Sequence, residues 1–130
     1  MPVFTPHRSA VAGCPAGKRV ILARVLPGQD LQATARQLCV EHGWKQASMR
    51  ASIGSLVGPT FLRAGYEATL PAPCAELVTL IGQVSADAAL DTSVQVLVGD
   101  SGGAVHGGTI DPARSPVAVT VELFLIEDGP

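Results

Sequence analysis

The sequence predicts an α+β fold in which an antiparallel β-sheet of six or seven strands packs against one principal α-helix. Several segments alternate apolar and polar residues with a period of two, which is the spacing of a strand with one buried face. One early segment has helical spacing instead, and short turns join the later strands. A single helix followed by hairpin-length connections favours an antiparallel α+β sheet over alternating βα units.

The chain is expected to hold one domain. Residues 1–17 are rich in Pro, Gly and Ala without a sustained period, which predicts an irregular N-terminal arm with room for a short strand near Val3. The arm has no continuous apolar segment after a basic start, so we expect no signal peptide. Residues 18–127 are long enough for a single core. They open with a predicted strand over residues 18–26 that ends at Pro27-Gly28.

The helix is predicted to follow that turn. Asp30 is placed to accept hydrogen bonds from the amides of the first turn, and Gly43 suits the left-handed residue that ends a helix. His42 is expected to interact with the helix dipole rather than with a ligand. The apolar side chains that fall on one helix face are Leu31, Ala35, Leu38 and Cys39.

The later strands are expected in order along the chain. Gly54-Ser55 is expected to end the first of them, and residues 65–75 are expected to form a loop. In the last strand both faces are largely apolar, which indicates a central strand or an interface. The predicted strands cover residues 44–53, 60–63 and 77–85, a hairpin within residues 94–110, and residues 117–126.

The composition predicts a homo-oligomer. Apolar residues make up 47% of the chain and charged residues 15%, whereas an ordinary soluble domain carries roughly a quarter charged residues. No apolar run approaches the roughly 18 residues of a membrane span, so the apolar surface is expected to be hidden against other copies of the chain. We therefore expect no membrane partner.

The charge and the cysteine content indicate which binding partners and which cellular compartment to expect. The net charge is -2 and the nine basic residues are scattered, so no nucleic-acid patch is evident. The three cysteines are odd in number and widely spaced, and form no CxxC motif. Reduced thiols and a cytoplasmic location are expected.

Residues 99–103 read GDSGG, the letters that surround the nucleophilic serine of chymotrypsin-like proteases. Serine hydrolysis requires a base within hydrogen-bond distance of the serine and a third group that orients this base. His7 lies in the arm, His42 ends the helix and His106 lies on the return strand of a hairpin. We therefore do not interpret GDSGG as a protease motif and lean against an enzyme.

The same residues are what a hairpin requires. Gly102 and Gly103 suit a tight turn between two strands. Asp100 is expected to hydrogen-bond its own backbone there. We interpret residues 94–110 as a paired-strand scaffold.

Two arginines bracket the IGSLVGP segment. Arg50 lies within a predicted strand and Arg63 ends the next one. Each can face solvent, pair with a carboxylate such as Glu122 across a subunit interface, or anchor a ligand. We favour the interface ion pair, since Glu122 is flanked by apolar residues and needs a partner if it is buried.

Five segments in collinear order resemble the plants and prokaryotes conserved domain, whose plant members accompany AT-hook motifs. The resemblance covers about residues 18–127 and implies an antiparallel sheet with one principal helix, assembled as a homotrimer. The segments are RVLPGQDLQATARQLCVEHGW, ASIGSLVGPTFLR, LVTLIGQVS, VLVGDSGGAVHGGTI and VAVTVELFLIE.

The resemblance also concerns a metal site. Many bacterial members carry His-x-His on the first hairpin strand and Gly-Gly-His on the second, which together can hold a metal. The matching positions here are Ser93, Gln95 and Thr109. His106 is displaced from the family position and cannot replace three imidazoles. We therefore expect neither a metal nor another cofactor.

Three functions remain open from the sequence. The leading interpretation is a small cytoplasmic homotrimeric interaction or regulatory module. The first alternative is a DNA-associated protein by family analogy, although this sequence lacks the Arg-Gly-Arg-Pro core of the AT-hook. The second is a small-molecule or catalytic site at a subunit interface, built from Arg50, Ser55, Arg63 and His106.

Overall fold

The described residues form one antiparallel sheet with one α-helix against it. A computed structural model describes residues 8–11, 19–63, 66–71 and 75–128. The helix is Leu31–His42 (α1), and two 3-10 helical turns span Ala88–Leu90 and Pro112–Arg114. The strands are Arg8–Val11 (β1), Val20–Val25 (β2), Gln46–Leu56 (β3), Thr60–Arg63 (β4), Tyr66–Thr69 (β5), Ala75–Ser85 (β6), Val94–Gly99 (β7), Val105–Ile110 (β8) and Val117–Glu127 (β9). Their order in the sheet is β1-β2-β9-β3-β6-β7-β8-β4-β5.

The α+β class with one helix and an antiparallel sheet is confirmed, but the predicted count of six or seven strands is wrong. The described residues contain nine strands. β1 lies within the arm that was expected to be irregular, and β5 lies within the loop expected over residues 65–75. Both have four residues and add to a strand edge, where backbone pairing does not require a side-chain period. The rest of the arm, residues 1–7 and 12–17, lies outside the described residues.

The prediction of α1 is confirmed in its bounds and its buried face. The Asp30 carboxylate accepts hydrogen bonds from the amides of Gln32 at 2.8 Å and Ala33 at 3.1 Å. Gly43 has φ 69°, so it ends the helix in the left-handed conformation. His42 Nδ1 lies 3.0 Å from the Leu38 carbonyl oxygen and serves the helix end. The four predicted apolar side chains are the buried ones.

An ion pair fastens α1 to the end of β6. The Arg36 guanidinium donates to the Asp91 carboxylate at 2.5 and 3.2 Å and to the Ser85 carbonyl at 2.9 Å. Asp91 also accepts from the Ser85 amide at 2.9 Å. Since these groups are only partly exposed, the charge-assisted hydrogen bonds are screened less than a surface pair would be.

The sheet curls over the same core from its far edge. β4 pairs with β8 through Phe61 and Ile110. The amide of Thr60 in β4 nevertheless donates to Ser115 Oγ at 2.9 Å, just before β9 begins. Because β9 and β4 are far apart in the sheet order, this contact shows that the sheet curls. The core therefore lies between α1 and the concave side of the sheet.

The convex side carries a row of register partners across five strands. We call this side the outer face and define it by the row Phe124, Arg50, Ile81, Gln95 and Thr109. The neighbouring residues in each strand point to the core instead, as the burial of Met49 and Leu125 shows. Within the residues described, α1 does not lie on this face.

Gly54 does not end β3, in contrast to the prediction. The strand continues to Leu56 through an irregularity in its pairing with β9. Gly54 has φ 141°, and a Cβ there would lie 2.5 Å from the Thr120 carbonyl oxygen and 2.7 Å from Val121 Cα. The close passage of the two backbones therefore requires glycine.

Cys39 is a buried free thiol on α1. Its burial raises the pKa of the thiol to about 11, so the group stays protonated at neutral pH. Cys14 and Cys74 lie outside the described residues. No helix in the part of the chain that the structure describes is long and apolar enough to cross a membrane.

We predict that Gly54→Ala lowers the free energy of unfolding by about 3 kcal/mol or more, because a strained φ and an overpacked contact each cost about 1–3 kcal/mol. The matched control is Gly28→Ala. Gly28 has φ 80°, but a Cβ there would meet no atom within 4 Å, so the loss of stability should be limited to about 1–2 kcal/mol. Urea unfolding measures both values, and equal losses would contradict the close-passage explanation.

Candidate functional site

Asp100 organises the turn between β7 and β8. Its Oδ1 accepts hydrogen bonds from the amides of Gly102 and Ala104, both at 2.9 Å. Its own amide donates to the Ala104 carbonyl at 2.8 Å. Gly103 adopts φ 88°, which glycine tolerates. The hairpin prediction for this stretch is confirmed, and so is the role of Asp100 in its own turn.

His106 completes this turn from the return strand. Its Nε2 donates to Asp100 Oδ2 at 2.8 Å. The hydrogen bond from His106, together with that from the Ala104 amide, holds the pKa of the Asp100 carboxyl below its usual value. Ser101 is exposed and shares no hydrogen bond with His106. A hydrolytic triad needs the histidine against the serine, so the arrangement serves the hairpin rather than the GDSGG chemistry.

Ser55 and Glu122 serve strand pairing rather than a shared site. Ser55 is 4% exposed, and its Oγ accepts from the Val119 amide at 3.4 Å. Glu122 Oε1 accepts from Arg24 Nε at 2.9 Å, because these two residues are register partners in β2 and β9. Glu122 thus has a partner within its own chain, where the sequence suggested Arg50 or Arg63 across an interface. The Arg63 side chain lies outside the described residues.

Among the predicted ligand or interface residues whose side chains are described, Arg50 borders a cleft. The cleft has a volume of about 380 Å³ and lies on the outer face where β3, β6 and β7 run side by side. Arg50 is exposed, and its Nη1 donates to the Met49 carbonyl at 2.8 Å. The other lining residues are Ser48, Ile81, Gly82, Gln83, Thr92, Ser93 and Gln95.

Arg50 differs in its partners from the other arginines whose side chains are described. Each of the others forms an ion pair with a carboxylate: Arg19 with Glu127, Arg24 with Glu122, Arg36 with Asp91, and Arg114 with Glu67 and Asp111. No carboxylate of the described residues lies within ion-pair distance of Arg50. Its positive charge is therefore available to a ligand.

The donor set at the family's metal positions does not fit a metal. Ser93 and Gln95 border the cleft, and Thr109 is the register partner of Gln95. Hydroxyl and amide groups are weak ligands for the transition metals that imidazoles hold. Among the described residues no three His, Cys, Asp or Glu side chains gather into a possible metal site.

Several cleft residues were not predicted from the sequence. Ser48, Gln83 and Thr92 are polar residues in or beside strands, which is the ordinary setting of a solvated side chain. The backbone amide of Gln83 donates a hydrogen bond to Thr92 Oγ1 at 2.8 Å. This bond holds the segment before β7 against β6. The alternation of apolar and polar residues over 46–52 predicted that this strand has one solvent-facing side. It did not reveal which strands lie beside that strand.

The fold and its Asp-centred hairpin define a small α+β domain with one helix on a curled antiparallel sheet. The chain belongs to the Plants and Prokaryotes Conserved (PCC) domain family, whose model matches residues 12–128. This confirms the resemblance seen in the sequence. A search of the curated proteins found no match.

Solved structures of three other proteins are similar to this chain. A plant- and prokaryote-conserved protein from Pyrococcus horikoshii has a TM-score of 0.67 and 23% identity, with 98% of this chain and 87% of that chain covered. A candidate DNA-binding protein from Bacteroides thetaiotaomicron has a TM-score of 0.68 and 16% identity, with coverages of 95% and 85%. A metal-containing protein from Archaeoglobus fulgidus has a TM-score of 0.62 and 21% identity, with coverages of 98% and 85%. At these identities the likeness shows the fold.

We predict that Asp100→Asn lowers the melting temperature at neutral pH and flattens its acid dependence. The folded-state pKa of Asp100 lies below its unfolded value, so the carboxylate stabilises the fold above the unfolded pKa of about 3.9. That contribution is lost as the pH falls through the folded pKa, where the variant and the wild type should converge. Thermal unfolding between pH 2 and pH 7 measures both curves.

Ser101→Ala is the matched control in the same turn, since the exposed Ser101 side chain makes no hydrogen bond. It should follow the wild-type curve. Parallel acid dependences for Asp100→Asn and the wild type would contradict the assigned role of the carboxylate.

Proposed function

We propose that this chain acts as a small interaction or regulatory module that works as a homotrimer in the cytoplasm. The observation that carries the proposal is the apolar character of the outer face. Ile81, Leu97 and Phe124 lie on three of its strands with 45%, 37% and 43% of their surfaces exposed. Side chains of this type favour burial against a partner surface.

The positions of these residues strengthen the case for self-association. Phe124 and Ile81 flank Arg50 in the central row of the sheet, and Leu97 follows Gln95 on the same face of β7. The patch therefore lies at the middle of the sheet rather than at an edge. With 15% charged residues, the chain has little charge to keep such a face solvated. The trimeric number follows from the family resemblance.

We predict that Phe124→Glu reduces the assembly to monomers, because a carboxylate buried in an apolar interface without a partner costs several kcal/mol. The control is Val40→Glu, since Val40 is 60% exposed on α1, away from the outer face. Size-exclusion chromatography with light scattering should give three chain masses for the wild type and the control. A monomeric wild type, or an unchanged mass for Phe124→Glu, would contradict the proposal.

DNA association is the alternative that two similar solved structures favour, because the Bacteroides protein and a Ralstonia eutropha protein are both described as candidate DNA-binding proteins. The charges of this chain argue against it. The net charge is -2, and four arginines whose side chains are described, Arg19, Arg24, Arg36 and Arg114, already pair with carboxylates. A net negative charge and four paired guanidiniums reduce the capacity of the chain to neutralise phosphates and release their counterions.

A gel-shift titration of an A·T-rich duplex at low salt tests this alternative. We expect no shift at micromolar protein, because a chain of net charge -2 makes a weak phosphate-neutralising contribution to affinity. A shift that weakens as the salt concentration rises would favour the DNA-associated function over the proposed module.

A further inference from the structure

We propose that the cleft beside Arg50 binds a small organic monocarboxylate that also carries hydrogen-bonding groups. All the lining residues belong to a single chain, and because Ile81 is shared with the apolar patch of the outer face, ligand binding and self-association would influence each other. Its volume of about 380 Å³ lies within the range of roughly 300–1,000 Å³ found for small-molecule sites.

The charge of the ligand follows from Arg50. Its guanidinium has five N–H donors, and one of its terminal nitrogens donates to the Met49 carbonyl. The remaining donors include a second nitrogen edge that suits the two oxygens of a carboxylate. Since no carboxylate of the described residues pairs with Arg50, a bound anion would not have to displace one.

A second negative charge on the ligand would be opposed. The Asp128 carboxylate accepts from Ser48 Oγ at 2.8 Å and from Gln83 Nε2 at 3.4 Å, and both of those residues line the cleft. The wall beside Arg50 therefore already holds an acidic group. The Arg50 guanidinium attracts one negative charge, and the Asp128 carboxylate nearby repels a second one. The site therefore favours a monoanion over a phosphate ester or a dicarboxylate.

The rest of the lining indicates polar substituents on the ligand. Ser93 and Gln95 present a hydroxyl and an amide on the opposite wall, and Thr92 extends that wall. Ile81 lies between the two walls as the register partner of both Arg50 and Gln95. A short carbon skeleton can rest on Ile81 while its carboxylate meets Arg50 and a hydroxyl or amide meets Gln95.

The test is isothermal titration calorimetry of the full chain with N-acetylglycine, a monocarboxylate with one amide group. N-acetylglycinamide, which replaces the carboxylate by a neutral amide, and inorganic phosphate are the comparison probes. We expect millimolar binding of N-acetylglycine and binding of the other two probes that is weaker by about tenfold or more, as expected for loss of a charge-assisted pair.

Two variants localise the effect. Arg50→Gln should weaken N-acetylglycine binding by about tenfold or more, whereas Arg24→Gln, which removes an outer-face arginine that already pairs with Glu122, should bind as the wild type does. Because Arg50 is exposed, its variant should keep the wild-type melting temperature and the wild-type mass in light scattering. Amide NMR shifts on titration should concentrate at Ser93 and Gln95 and spare Gly102 in the hairpin turn.

Three outcomes would overturn the inference. One is equal binding of N-acetylglycine and its amide, and another is unchanged binding by Arg50→Gln. The third is the absence of any N-acetylglycine response in the millimolar range. A monomeric wild type that still binds N-acetylglycine through Arg50 would contradict the proposed assembly and leave this inference standing.

Discussion

The close passage of β3 and β9 at Gly54 is the constraint on which the two faces of the sheet depend. Before this point Ala47, Met49 and Ala51 point into the core, so the intervening Arg50 lies on the outer face. On either side of the Ile53–Glu122 and Gly54–Val121 pairs the register with β9 shifts, and Ser55 and Leu56 beyond Gly54 are both buried. Strand β3 therefore contributes buried side chains to the core both before and after Gly54. Its intervening residues contribute to the outer face. A side chain at this position would have to move one backbone away from the other.

Local signals allowed α1 to be predicted closely. The Asp30 cap, the left-handed Gly43 and the spacing of the apolar side chains lie within one short segment. Asp100 and the glycines of the hairpin were predictable for the same reason, since the turn is closed by its own residues.

The remaining features depend on which strands become neighbours, and the sequence does not carry that information locally. β1 and β5 are four-residue strands formed on edges, and the extension of β3 past Gly54 depends on β9. Glu122 pairs with Arg24 because of the β2–β9 register, which the sequence could not supply. Arg50 was identified as a candidate, but its neighbours in the cleft come from strands far along the chain.

The outer face combines an apolar patch with an unpaired guanidinium, and this combination has a thermodynamic consequence. Ile81 belongs both to the exposed apolar patch and to the lining of the cleft. If copies of the chain meet over this face, an anion that binds at Arg50 occupies the same surface or its border. Ligand binding and assembly would then be linked, and each would change the apparent affinity of the other. A regulatory module requires a linkage of this kind, whereas a purely structural assembly does not.

The central claim is that the outer face is covered by other copies of the chain in solution. Methyl NMR relaxation by a soluble gadolinium chelate tests it most directly, because the chelate relaxes only methyl groups that it can approach. Ile81 and Leu97 on the outer face should be protected, while Val40 on α1 and Leu90 in the turn after β6, which are exposed in the single chain, should relax strongly. Equal relaxation at all four residues would contradict the account.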